Sequence, residues 1–456
     1  MAATEAAHTV HARIAALPEN LRHAALAWLR PEADLAAELG RFETVGGVSC
    51  PDSTGATEIP SGHKAPPTAD APLARLPYLL KDLFDLAGVP TRAGSTFLHL
   101  ARGTATHDSR IASRLTELGA ACAGKTNLVE FAAGLFGDNA HYGDCPHPHF
   151  PDRLAGGSSS GSAALVAAGV VPFAIGTDTG GSVRVPAAFC GLHGFRLTPG
   201  DDLIRAAMPL SPSMDTVGWF TANAADMLTA WQALVAGRAS PPDEPRARDD
   251  AAARPEDSPY PARTGRNFRG CFLPSSVLGL PFDPASAVAC DRAAARIAPP
   301  ADQALSGALL ASWQQAVEAY TITVLTEAHT VHQNWLTLYH EHYEPGIWQR
   351  FSDGGRFSPE QRAQARQSMA VVRAGFRHYF SDHDYLVLPA TPFPALRKAD
   401  CTPEARKLLL TLTSPASLAG LPVLTLPVAL ESGLTSGLQI ILPSADSRVV
   451  PWLLSQ

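Results

Sequence analysis

Two runs of small residues, GGSSSGS at 156–162 and GTDTGGS at 176–182, are separated by only SAALVAAG and VVPFAIG, one helix-like and one strand-like stretch. This spacing limits the folds open to the chain. A helix opened by the first run and followed by a buried strand brings the second run back to the end of the sheet where the first began. Ala155 to Gly169 alone holds four serines and four glycines. Small side chains let several backbone N–H groups converge where the first run opens a helix, and taken alone that run reads as a glycine-rich N-cap without chemistry.

Two short-motif readings fail on context. Gly157 to Gly161 matches G-x-S-x-G, with Ser159 at its centre, but the preceding CPHPHFPDRLA carries three prolines where a nucleophile elbow needs a buried strand. Asp178-Thr179-Gly180 looks like one half of an aspartic-protease site, yet no second such tripeptide stands in a similar apolar setting. The pair of loops taken together says more. Ser182 lies beside the N–H groups of Thr179, Gly180 and Gly181, the arrangement an oxyanion hole requires, and it needs a base. His193 is one candidate. Lys81, inside the apolar run LPYLLKDLFDL, is the other. Read one way, Lys81 is a strand-end lysine that reaches water or pairs with Asp82 or Asp85. Read the other way, burial lowers its pKa from about 10.4 and supplies a neutral amine near pH 7.

Residues 1 to about 45 read as helical, with Ile14, Leu17, Leu21, Ala25 and Leu29 at three- and four-residue intervals and breaks at Pro18 and Pro31. A polar connector follows to about Ala71, then strand/helix alternation to about Pro199. Residues 239–266 are rich in Pro, Ala and charge, which predicts a mobile surface loop. Pro284 to Tyr379 reads as mostly helical, and DYLVLPATPFP and LAGLPVLTLPV return to buried strands. The α/β portions on either side of the helical stretch are compatible with one sheet. At 456 residues and 46% hydrophobic content, the chain can bury a large core. A net charge of −7 gives no basis for a nucleic-acid partner, and no run approaches the ~20 apolar residues of a membrane span. Seven scattered cysteines without a CxxC pair suit a reducing compartment, and the N-terminus lacks a signal-peptide pattern, so a cytoplasmic setting is expected. His141, Asp144, Cys145, His147 and His149, and the group His329, His332, His340 and His342, show no recognised zinc spacing, so no metal is expected. Trp335, Tyr339 and Trp348 read as core.

These segments together resemble the amidase signature family of serine hydrolases. GGSSSGSAALVAAGVVPFAIGTDTGGSVRVPAAFCGLHGFRLTP is similar to its signature block and LLKDLFDLAGVPTRAGS to its lysine segment. GKTNLVEFA, SPSMDTVGWF, LPATPFPA and SLAGLPVLTLPV extend the likeness over about 75–220 and, more loosely, 380–445. The resemblance implies an α/β fold, a single large domain whose mixed central sheet is covered by helices on both faces. Its parts would be N-terminal helices and connector (1–72), a signature core (73–237), a flexible polar loop (238–267), a mostly helical substrate-side region (268–380) and C-terminal strands completing the core (381–456). It implies a Ser-cisSer-Lys triad: Ser182 as nucleophile, Ser158 as bridging serine after a cis Gly157-Ser158 peptide, and Lys81 as base. Backbone N–H groups of Thr179, Gly180, Gly181 and Ser182 would form the oxyanion hole, with Gly157, Ser159 and Asp178 supporting the loops. Asn139, His141 and Tyr142, in FGDNAHYGDCPHPH, are expected on the substrate side as hydrogen-bond donors to a small polar amide. The implied activity is hydrolysis of a small-molecule amide through a seryl acyl-enzyme without a cofactor, homodimerisation being left open. Two other readings share the fold: a glutamine amidotransferase component working with partner chains, and a catalytically idle binding protein. After Thr198 the sequence PGDDLIRAAMPL departs from the family pattern, which leaves the pocket walls open.

Overall fold

The computed structural model describes residues 2–41, 71–236 and 268–455. Ten strands form one sheet: β1 (Leu26–Leu29), β2 (Pro77–Lys81), β3 (Ala121–Thr126), β4 (Phe173–Thr177), β5 (His193–Arg196), β6 (Val217–Thr221), β7 (Gly270–Phe272), β8 (Tyr385–Pro389), β9 (Val423–Ala429) and β10 (Thr435–Ile441). Across the sheet the order is β1-β3-β2-β4-β6-β5-β9-β10-β8-β7. The neighbours β3, β2 and β4 run parallel, as do β7 and β8, and the other pairs are antiparallel. The fold is therefore α/β with a mixed sheet, and its C-terminal strands β9 and β10 enter the same sheet as the N-terminal ones. Most of the connector before Leu73 and all of the polar loop 238–267, together with Cys50, lie outside the described residues.

Alternation along the strands splits the core into two layers. Tyr78, Leu80, Phe173, Ile175 and Trp219 pack into one layer, while Leu79, Ala174 and Phe220 pack into another under the helix Ser160–Ala167. Lys81, two residues beyond Leu79, falls by the same alternation on the face that this helix covers. A third apolar cluster joins the helices Gln303–Trp313, Ala316–His332, Pro345–Gly354, Pro359–Phe380 and Pro403–Ala419. Trp335, Tyr339 and Trp348 pack against that cluster.

One N-terminal expectation is corrected. The helical reading between the breaks at Pro18 and Pro31 holds over Glu19–Ala25 but gives way at Leu26–Leu29 to β1, which pairs antiparallel with β3, while further helices span Ala3–Ala15 and Glu32–Gly40. Four residues are too few for periodicity to separate a helix from a strand. The vacant edge of β3 decides the matter by offering Leu26 to Leu29 backbone partners. Among the described residues, no helix is long and apolar enough to cross a membrane.

Candidate active site

Strands β2 and β4 are parallel neighbours, so Lys81 and Thr177, their last residues, meet at one end of the sheet. The loop before the helix Ser160–Ala167 closes over that end. Its Gly157-Ser158 peptide is cis. A Cβ at Gly157 would come within 2.8 Å of both the Gly137 nitrogen and Val129 Cγ2, so only glycine lets the loop pass here. Lys81 is fully buried, and its Nζ lies 2.8 Å from Ser158 Oγ, 2.9 Å from Ser159 Oγ and 2.8 Å from Thr177 Oγ1. The alternative of a solvated or carboxylate-paired lysine does not hold. Asp82 instead sits 2.6 Å from Lys125, and Asp85 pairs with Arg102 at 3.0 Å. With hydroxyls alone as partners, burial pushes the Lys81 amine down to about 7, partly opposed by the more distant carboxylates of Asp215 and Asp178.

The hydroxyls have distinct jobs. Ser159 Oγ donates to Thr177 O at 3.1 Å, so its hydrogen is committed and it can only accept from Lys81. When the amine is neutral, it has two N–H groups and a lone pair. The hydrogen entering that lone pair must then come from Ser158 or Thr177, whose hydroxyl hydrogens have no other acceptor among the described residues. Ser182, 3% exposed, lies on the neighbouring loop, but its hydroxyl has no hydrogen-bond partner among the described residues. The Lys81–Ser158 link is formed and the Ser158–Ser182 link is not. Catalytic hydrogen bonds are commonly loose before substrate binds.

The second loop is braced by Asp178, whose carboxylate lies between Arg184 Nη2 at 2.8 Å and Arg196 Nη1 at 3.1 Å, all three fully buried. Those guanidiniums and several N–H donors hold its carboxyl well below the usual carboxylate range despite burial. It is an ionised structural anchor and not half of a carboxyl dyad. One oxyanion donor is corrected: the Gly181 N–H donates to Asp178 Oδ1 at 2.8 Å and is unavailable. The N–H groups of Thr179, Gly180 and Ser182 have no acceptor among the described residues. Thr179 is oriented by its hydroxyl, which donates to Asp215 Oδ1 at 2.5 Å. Burial raises the Asp215 carboxyl to about 6.

The expected substrate-side donors are engaged elsewhere. Asn139 Nδ2 donates to Gly94 O at 2.9 Å and Leu128 O at 2.8 Å, and its Oδ1 accepts from the His141 and Tyr142 N–H groups. It cannot donate to a substrate, because both amide hydrogens already satisfy backbone carbonyls. His141 Nε2 faces Glu130 Oε1 at 3.0 Å, which raises its pKa, and the Tyr142 hydroxyl donates to Ser95 O at 3.2 Å. His193, the rival base, forms no bond to Ser158 or Ser182, and burial lowers it to about 4. His147 is a buried strut whose Nε2 lies 3.0 Å from Phe189 O. Among the described residues, no three His, Cys, Asp or Glu side chains gather closely enough to hold a metal ion.

A cavity of about 250 Å³ opens beside Thr177 and Thr179. Its other walls include Leu83, Met208, Leu210 and Asp215, and the whole stretch Ile204–Leu210 belongs to the segment PGDDLIRAAMPL.

The sequence profile of the Amidase family matches residues 54–449. AtzE, a 1-carboxybiuret hydrolase subunit of Pseudomonas sp. (strain ADP), is 32% identical over 387 residues, covering 81% of this chain and 80% of that one. A glutamyl-tRNA(Gln) amidotransferase subunit of Symbiobacterium thermophilum is 29% identical over 424 residues, 87% and 85% of the respective chains. A crystal structure of an amidase superposes with a TM-score of 0.72 at 28% identity, covering 100% of this chain and 99% of the other.

Proposed function

This chain belongs to the amidase signature family, and on that premise we propose that it hydrolyses the carbon–nitrogen bond of a small amide through an acyl-enzyme on Ser182. The observation that carries the reading is the fully buried Lys81 amine, lowered to about 7 and held by three hydroxyls with no carboxylate beside it. Neutral Lys81 takes the Ser158 proton as Ser158 takes that of Ser182, and the Ser182 oxygen bonds to the amide carbon. Rotation of the unpartnered Ser182 hydroxyl toward Ser158 completes the relay. The N–H groups of Thr179, Gly180 and Ser182 stabilise the tetrahedral oxyanion. The proton returns by the same route to the departing nitrogen, which leaves as ammonia or amine, and water then splits the ester by the reverse relay. The cavity along Ile204–Leu210 receives one side of the substrate.

Ammonia or amine release across a panel of carboxamides, ureido compounds and aryl amides tests this, with Ser182→Ala as the blank. Ser182→Ala and Lys81→Ala should abolish turnover and Ser158→Ala should severely reduce it. Full activity of Lys81→Ala would remove the assignment. Both relatives above are components of larger assemblies by name. Turnover that appears only when partner chains co-purify would favour the amidotransferase-like reading. A folded protein that no fluorophosphonate labels would favour an idle binding protein.

A further inference from the structure

The peptides of residues 179–182 are held unevenly. The Gly181 carbonyl accepts the Val185 N–H at 2.7 Å, which sets the direction of the Ser182 N–H on the same peptide. The peptide joining Thr179 to Gly180 has no such brace. Its carbonyl accepts no hydrogen bond among the described residues, so the direction of the Gly180 N–H depends on what holds the chain on either side. On one side the Thr179 hydroxyl is tied to Asp215 at 2.5 Å. On the other stand two adjacent glycines, whose freedom in φ and ψ would let the chain swing.

Thr413, 233 residues away on the helix Pro403–Ala419, takes up that freedom. Its hydroxyl donates to the Gly180 carbonyl at 2.6 Å, while the N–H of the same peptide, on Gly181, donates to Asp178 Oδ1 at 2.8 Å. The peptide plane is gripped at both polar ends, and any rotation breaks two bonds. A longer contact of that hydroxyl, 3.0 Å to Leu409 O, stays within its own helix turn. Arg184 joins the two grips, since its Nη2 donates to Asp178 Oδ1 at 2.8 Å and its Nη1 to the Thr413 carbonyl at 2.7 Å. Asp178, Arg184 and Thr413 are all fully buried, so water does not replace a lost bond cheaply. Packing closes the remaining directions. Tyr320, on the helix Ala316–His332, fills the place that a Cβ of Gly180 would take, and Thr413 lies 3.1–3.3 Å from that of Gly181.

We propose that Thr413 is a positioning residue for the hydrolysis: its hydroxyl fixes the peptide between Gly180 and Gly181 and thereby aims the Gly180 N–H at the oxyanion. The inference rests on the amide-hydrolase reading above and adds to it a side chain that never touches the substrate. Thr413→Val keeps the shape and removes the donor, and Thr413→Ser keeps the donor and removes a methyl group. With an amide that the wild type hydrolyses, Thr413→Val should lower kcat about tenfold to a hundredfold, less than outright loss of an oxyanion donor, and leave KM within about threefold. Thr413→Ser should keep kcat within about threefold of wild type, and the acid limb set by Lys81 should stay in place in both variants. Wild-type kcat in Thr413→Val, or equal losses in the two variants, overturns the assignment. Competition of phenylboronic acid with fluorophosphonate labelling gives a readout free of turnover, because the boronate adduct of Ser182 puts an oxygen where the oxyanion forms. Thr413→Val should weaken that competition about tenfold or more and Thr413→Ser should not, whereas equal competition in all three proteins overturns the assignment. Should Thr413→Val fail to fold, Thr413→Cys, with a weaker donor in the same place, should lose activity and boronate affinity together, and unchanged values overturn the assignment. A wild type that takes neither reagent overturns the hydrolase reading and this assignment with it. A labelled wild type beside an indifferent Thr413→Val overturns this assignment alone.

Discussion

Replacing Lys81 by Met tests the argument at its centre, because it removes the titrating amine while keeping an unbranched apolar chain in the same slot. A lysine lowered from 10.5 to about 7 by burial prefers its neutral form by roughly 5 kcal/mol relative to water. Between those two values the unfolded chain holds a proton that the folded protein has released, so stability rises with pH across that window and the whole penalty is present below pH 7. Lys81→Met escapes the penalty. Its stability relative to wild type should therefore be greatest below pH 7 and shrink by about 1.4 kcal/mol per pH unit toward pH 10.5. Catalysis gives the second readout: wild-type kcat/KM should fall tenfold per unit below about pH 7 and level off above pH 8, and Lys81→Met should show no turnover. Denaturant titrations and amide hydrolysis from pH 5 to 10 measure both. A stability difference that stays flat with pH, or an acid limb centred above pH 9, would mean that Lys81 is an ordinary charged lysine.

Three further outcomes follow from the contacts around it. Ser159→Ala removes an acceptor that favours the charged amine, so the acid limb should move to lower pH while kcat drops about tenfold to a hundredfold; an unmoved limb would show that Ser159 does not touch the titrating group. Asp178→Asn strands two buried guanidiniums and should cost roughly 3–5 kcal/mol by chemical denaturation, and a loss under 1 kcal/mol would contradict the anchoring role. Ala207→Phe narrows the cavity and should lower kcat/KM for hexanamide relative to acetamide by about tenfold, whereas an unchanged ratio would place the acyl chain elsewhere.

What the sequence makes legible depends on how local the physics is. The two small-residue loops and Lys81 stand out because each violates its surroundings: polar loops interrupt an apolar α/β run, and a cation ends an apolar strand. Period-two alternation even gives Lys81 its face, since Leu79 and Lys81 share one side of β2. Asn139 is opaque for a different reason. An asparagine that ties a loop together and one that binds an amide present identical chemistry, and only the positions of the Gly94 and Leu128 carbonyls separate them. The loss of the Gly181 donor is readable in principle, because an aspartate three residues earlier often accepts such an N–H. Tyr320 carries no sequence signal at all. It is one aromatic among the helical residues between Pro284 and Tyr379, and its meeting with Gly180 exists only after the helix Ala316–His332 docks.

The buried cations around the site divide by partner, and that division governs the chemistry. Lys125 has Asp82, and Arg184 and Arg196 share Asp178, so these three remain ionic struts that fix strands and loops. Lys81 has only hydroxyls, which can either accept its protons or donate to its lone pair, so they stabilise both of its protonation states without holding it charged. A carboxylate in place of Thr177 would convert Lys81 into a fourth strut and remove it from the proposed role of base. A fully apolar lining would leave its proton nowhere to go. Serine and threonine at these three positions keep the amine near neutrality and connected to Ser158. On the proposed mechanism, the clustering of small hydroxyl residues seen in the raw sequence supplies the electrostatic condition that a lysine base needs, beyond room for a turn.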